Sequence, residues 1–174
     1  MLALLEILKY ILPAAIMLLA VYLIIHRFLK HEALKIENES RRAMQIEIFQ
    51  IRIQAYERII LLLERISPNQ LILRISQPGL SALQFQSLLV QNIRDEFDHN
   101  LSQQVYISSA AWELVRTARE EMIRLINSAA GNVHGNARAH DLASRLLELH
   151  TSLENDPLNR AIEAVKEEAR RFFR

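Results

Sequence analysis

The chain opens with an apolar stretch that shows no amphipathic period. Tyr10 to Ile25, YILPAAIMLLAVYLII, is a run of sixteen uncharged residues, and apolar character continues from Ile7-Leu8 to Phe28-Leu29. At about 1.5 Å per residue, Ile7 to Phe28 makes about 33 Å of helix, against a bilayer core of about 30 Å. The pattern therefore predicts a transmembrane anchor over residues 1–30. Tyr10 and Tyr22 fall toward its two ends, where amphipathic rings favour the interface. Lys9 can extend its amine to the headgroups, and Pro13 sits near the start, where a lost backbone hydrogen bond is tolerated. A cleaved signal peptide would need small residues at a processing site. Leu18 precedes Ala20 and His26-Arg27-Phe28 follows the run, with no A-x-A pattern. A soluble helix apolar on every side would need more covering protein than a domain of this size offers.

The pattern then changes twice. Glu32 to Ala43 is charged and free of Gly and Pro, and it reads as a helical stalk over 31–43. From Met44 the apolar residues recur with a helical period. One line is Ile46, Phe49, Ile53, Tyr56, Ile60 and Leu63; beside it run Met44, Ile48, Ile51, Ala55, Ile59, Leu62 and Ile66. Together they make a stripe wider than a coiled-coil seam needs, which predicts a helix packed against several neighbours in a bundle over 44–174.

Later helix starts are marked by their caps. Ser67 with Gln70, and Ser81 with Gln84, have capping-box spacing, and Pro68 takes a first helical position. Pro78-Gly79 separates the two helices. The second carries Phe85, Leu89, Ile93, Phe97 and Leu101 and is expected to reach about Gln104. Ser108 caps a helix whose apolar face is Trp112, Val115, Ala118, Met122, Ile126 and Ala129; Gly131 to Gly135 reads as a loop. Leu142, Leu146, Leu149 and Leu153 mark a helix expected to end near Asn155. Asp156-Pro157 then starts a last helix with Leu158, Ile162, Val165, Ala169 and Phe172 along one seam. Strict alternation is nearly absent. The fold class is all-α: a single N-terminal transmembrane helix followed by a cytoplasmic helical bundle.

Charge fixes the expected orientation. Arg27, Lys30, Lys35, Arg41 and Arg42 follow the apolar run, and only Lys9 and the terminal amine precede it. Lys and Arg are retained on the cytoplasmic side. The expected location is the inner, cytoplasmic membrane, with the N-terminus out and the C-terminal domain cytoplasmic. Overall, 21 Lys+Arg balance 20 Asp+Glu for a formal net charge of +1. That balance argues against nucleic acid as a partner.

Chemistry is sparse. The 174 residues include no Cys and three Gly, so a thiolate site and a phosphate-cradling loop are not available. The six histidines, His26, His31, His99, His134, His140 and His150, show no HExxH spacing, and His140-Asp141 is a bare dipeptide. No GxSxG or SxxK motif is present. The adjacent carboxylates Glu120-Glu121 and Glu167-Glu168 point about 100° apart and read as solvated faces. The reading is therefore no enzyme, no cofactor, no metal and no small-molecule substrate.

The densest polar group is Asp95, Glu96, Asp98, His99 and Asn100. The C-terminus EEARRFFR combines Arg170, Arg171 and Arg174 with Phe172 and Phe173, suited to lipid or partner contact or to the bundle seam. The residues expected to carry protein contacts are Arg58, Glu64, Arg65, Asp98, His99, Asn100 and Trp112.

Two segments, YERIILLLERISPNQLILRI (Tyr56 to Ile75) and EFDHNLSQQVYISSAAWELV (Glu96 to Val115), resemble an uncharacterised family of single-pass, helical membrane proteins from Bacteroidota-type bacteria. HNLSQQVYIS, His99 to Ser108, is the most specific part. The resemblance implies the same anchor and helical domain and no particular activity.

The expected function is a membrane-anchored helical interaction or scaffold protein, with the lipid bilayer and proteins at the membrane as partners. The alternative is a self-associating structural subunit of an oligomeric membrane assembly. Its coiled-coil seam, Ile46 to Leu63, is shorter than the three or four heptads that specify one.

Overall fold

A computed structural model describes the backbone of residues 2–172, and the side chains of these except 2–10, 12–15 and 33. The elements are α1 (Leu2–Arg65), α2 (Pro68–Ile75), α3 (Ala82–Asn100), a 3-10 turn (Leu101–Val105), α4 (Ser109–Gly131), α5 (Ala139–Thr151) and α6 (Pro157–Arg171). Among the described residues no strand forms; one isolated antiparallel bridge joins Ser81 and Arg138. The all-helical class holds. Two compact units are distinguished, Met1–Phe49 and Gln50–Arg174.

The described residues of the first unit all belong to α1, and its described apolar side chains other than the half-buried Phe49 are exposed. Ile16 to Ile25 and Phe28-Leu29 are exposed, as are Leu34, Ile36, Met44, Ile46 and Ile48. Among the described residues no helix is long and apolar enough to cross a membrane. Ile7 to Tyr10 and Leu12 to Ala15, which the expected span requires, lie outside the described side chains, as do Lys9 and Pro13.

The second unit is a helical bundle built on α4, which packs against α3, α5 and α6. Its core is apolar throughout. Phe85, Leu89 and Ile93 of α3 meet Val115, Ala118 and Met122 of α4, Leu142 and Leu146 of α5, and Leu158, Ala161 and Val165 of α6. The end of α1 and the residue after it enter this core through Tyr56, Ile59, Leu62, Leu63 and Ile66. Burial of a large apolar side chain contributes about 1.5–3 kcal/mol, so this cluster, rather than the charged surface, holds the unit together.

Caps place the helices. Ser81 and Gln84 form the complete box: Ser81 Oγ accepts from the Gln84 amide at 3.3 Å, and Gln84 Oε1 accepts from the Ser81 amide at 3.0 Å. Ser108 Oγ accepts from the Ala111 amide at 3.2 Å, and Asp156 Oδ1 from the Leu158 amide at 2.9 Å. Ser67 departs from its expected role. Its hydroxyl donates backward to the Glu64 carbonyl at 2.7 Å and makes no side-chain cap bond, so the side chain closes α1 while the Ser67 carbonyl accepts from the Leu71 amide at 2.9 Å at the start of α2. Between α2 and α3, Gly79 adopts φ +87°, a left-handed conformation that glycine takes without steric cost. The following segment pairs with the α4–α5 loop through Ala82 N–H to Ala137 O at 2.8 Å and Ala139 N–H to Leu80 O at 3.1 Å.

Two helices stop short of their expected ends. α3 ends at Asn100, not near Gln104, because Asn100 Nδ2 donates to the Glu96 carbonyl at 2.8 Å and the chain tightens into the 3-10 turn. α5 ends at Thr151, not near Asn155. There Thr151 Oγ1 and Ser152 Oγ donate to the Leu147 and Leu149 carbonyls, both at 2.8 Å, and the Leu149 carbonyl is one that the helix end leaves free.

Candidate functional site

The expected contact residues fall into three environments. Arg58, Glu64, Asp98 and His99 are exposed on α1 and α3. Arg65 and Asn100 belong to a cluster around Glu96, whose carboxylate Oε1 accepts from Arg65 Nε at 2.8 Å and from Arg74 Nη1 at 3.0 Å. The Arg65 Nη2 group lies 2.6 Å from the same oxygen. Glu96 thus ties α1, α2 and α3 together at one edge of the bundle. Its neighbours Asp95, Asp98 and His99 are exposed on the same helix, with Asp95 accepting from Gln91 at 2.7 Å.

Trp112 is different. It is 9% exposed and packs on Phe97 with ring centroids 5.1 Å apart and planes tilted by 30°. Arg119 lies over the other ring of that pair, 4.2 Å from the Phe97 centroid. The indole is committed to packing between α3 and α4, and a partner would not reach it without opening the bundle.

A second polar cluster was not legible in the residue pattern. Glu168 of α6 reads in sequence as half of a solvated carboxylate pair. In the fold it accepts from the Tyr56 hydroxyl at 3.1 Å, from the Ser108 amide at 2.9 Å and from Ser108 Oγ. Arg52 Nη2 stands 4.0 Å from it, while Arg52 Nε donates to the Tyr106 carbonyl at 3.1 Å and its guanidinium lies 3.8 Å over the Phe172 ring. One carboxylate therefore binds α1, the N-terminus of α4 and α6. Burial, reinforced by the adjacent Glu168 carboxylate and opposed by Arg52, pushes the Tyr56 phenol up to about 12. Phe172 accordingly belongs to the bundle; Phe173 and Arg174 lie outside the described residues. Elsewhere on α6, hydrogen bonding from Lys166 holds the Glu163 carboxyl below its ordinary range.

Surface grooves open on the second unit, and the linings of three of them set what they can do. Beside the Glu168 cluster, one is lined by Arg52, Ser108, Leu114, Glu168, Arg171 and Phe172. Another lies between α4 and the start of α6, with Met122, Leu125, Leu153 and Pro157 under Arg124 and Arg160. The third follows the paired loops at Pro78-Gly79 and Arg138 to His140. His99, His134 and His140 are exposed, and His150 lies 3.5 Å from Asp156, the α6 cap. Among the described residues no three metal-ligating side chains converge.

A family profile described as a family of unknown function, DUF7935, matches residues 2–172. No curated protein and no solved structure matches the chain.

Proposed function

We propose that this chain, which belongs to the DUF7935 family of unknown function, works as a membrane-anchored helical interaction protein. In this reading α1 begins as a single-pass anchor in the cytoplasmic membrane, with the N-terminus outside. Its other end is built into the core of a cytoplasmic bundle. The observation that carries the reading is the uncovered apolar length of α1. Met17 and Leu18 are 71% and 73% exposed, and every large apolar side chain from Ile16 to Leu29 is at least half exposed. Water is a costly neighbour for so contiguous an apolar surface, and lipid is the neighbour it suits.

The surface that would meet a protein partner is the charged edge around Glu96. Glu96 is held by Arg65 and Arg74, so the edge is ordered, while Arg58, Glu64, Asp98 and His99 project from it unspent. Ordered charges on a rigid scaffold lose little freedom on binding. Anchoring adds a gain in effective concentration for any partner in the same membrane.

The test is affinity purification of the tagged full-length chain from membranes, after cross-linking, with identification of bound proteins. The expected result is a reproducible partner that is lost in an Arg58→Glu, Asp98→Lys variant that still folds. Recovery of the same proteins with both forms would remove this edge as the contact surface.

A second reading rests on Met44, Ile46 and Ile48, which are exposed in the first unit. Self-association through them would make the chain a structural subunit of a membrane assembly. A ladder of defined homo-oligomers on cross-linking in detergent supports that reading, and a monomer supports the first.

A further inference from the structure

We propose that one face of α1, formed by His26, Arg27, Lys30, His31 and Lys35, binds the phosphate headgroups of anionic phospholipids. The inference rests on the anchor reading above and names the lipid it selects. At about 100° per residue, those five side chains fall within roughly half of the helix circumference. Ile25, Phe28, Leu29 and Ile36 share the opposite side with the acidic Glu32. Leu34 is the exception on the basic half. The described members of both faces are exposed, and the segment is helical throughout.

The charge on this face is unspent. In the first unit the one ion pair among the described residues is Arg41 with Glu37 at 2.7 Å. Arg27, Lys30 and Lys35 therefore have no carboxylate partner there. His26 is positioned by its own helix, since its ring stacks on Tyr22 with centroids 5.9 Å apart and planes 13° from parallel. A Tyr toward the end of an apolar run favours the interface, and His26 stands one helical turn beyond it.

Position makes lipid the fitting occupant. The headgroup layer is about 5–7 Å deep on each side of the hydrocarbon. Measured from Phe28, the end of the expected span, Lys30 rises only about 3 Å along the helix, and Arg27, one residue inside that end, can extend its guanidinium outward. Lys35 rises about 10 Å, and its long stem can reach back toward the surface. Each Lys or Arg near an anionic surface adds attraction that fades within a Debye length, about 8 Å at physiological salt. Arg41 is about 24 Å beyond Ile25 and already paired, so it should contribute little.

The experiment uses the full-length chain reconstituted in vesicles of equal parts phosphatidylcholine and phosphatidylglycerol. Spin-labelled forms of each lipid report the motionally restricted shell around the protein. The expected result is enrichment of phosphatidylglycerol over phosphatidylcholine by about three-fold or more. It should fall to parity in the Arg27→Gln, Lys30→Gln, Lys35→Gln variant and persist in Arg41→Gln, Arg42→Gln. A restricted shell with equal amounts of both lipids around the wild type overturns the proposal and leaves the anchor standing. Equal loss in the two variants also overturns it, because the effect would then be bulk charge. Loss of enrichment with inorganic phosphate, but not with chloride at matched ionic strength, would mark a free-phosphate site instead. No restricted lipid of either kind would overturn the anchor reading itself.

Discussion

The Glu168 carboxylate accepts the Tyr56 hydroxyl at 3.1 Å, joining the last helix of the bundle to the first. The contact spans nearly the whole second unit in sequence, and it is charge-assisted because the acceptor is a carboxylate. Tyr56→Phe removes the hydroxyl and keeps the ring, which packs near Phe172 with centroids 6.0 Å apart. The expected loss is about 1–2 kcal/mol in urea unfolding. Its pH dependence has a definite sign. The folded-state pKa is raised from 10.0 to about 12 by burial and by Glu168. The contribution is therefore complete below pH 10 and disappears as pH rises through about 12. The gap between wild type and Tyr56→Phe should narrow over that window; a gap that stays constant contradicts the assignment.

The Glu96 cluster should be weaker but coupled. Arg65 and Arg74 are 45% and 30% exposed in their side chains, so solvent screens both pairs. Arg65→Gln and Arg74→Gln should each cost about 0.2–1 kcal/mol. Glu96→Gln, which weakens both, should cost more than either alone. A double-mutant cycle should show the Arg65 effect shrinking once Glu96 is Gln. Independent, additive effects would mean that the carboxylate does not link them.

The two serines with the same spacing should behave differently. Ser81→Ala should lower stability by about 1 kcal/mol, because it breaks a complete capping box. Ser67→Ala should cost less, since the Ser67 side chain makes no cap bond to α2 and its hydroxyl only closes α1. Equal losses in chemical denaturation would contradict the difference.

Trp112 and Arg58 offer the sharpest contrast between core and edge. Trp112→Ala empties a packed site beside Phe97 and should cost about 3–5 kcal/mol. Arg58→Ala, on the exposed surface, should stay within about 0.5 kcal/mol. Arg58 is therefore suited to a binding test, and any loss of a partner in Trp112→Ala would report unfolding.

These contrasts show what the residue pattern could carry. The helix faces were legible because burial follows a local period: Phe85, Leu89, Ile93 and Phe97 recur every four residues and all four are buried. The Ser81 box was legible because its partners lie three residues apart. Ser67 has the same local spacing, but its hydroxyl has a competing acceptor, the Glu64 carbonyl, that spacing does not reveal. Glu168 was illegible for another reason. Its partners Tyr56, Ser108 and Arg52 come from distant elements, and next to Glu167 it looked like ordinary surface. Trp112 had the period of a core residue, and the structure places it there. Arg58, Asp98 and His99 were legible as exposed positions, though the local pattern holds nothing about what meets them.

Carbonate extraction of membranes from cells making the full-length chain tests the central claim most directly. The account predicts that the protein stays in the membrane pellet, because the apolar start of α1 lies in lipid. Release of the chain into the soluble fraction would contradict it.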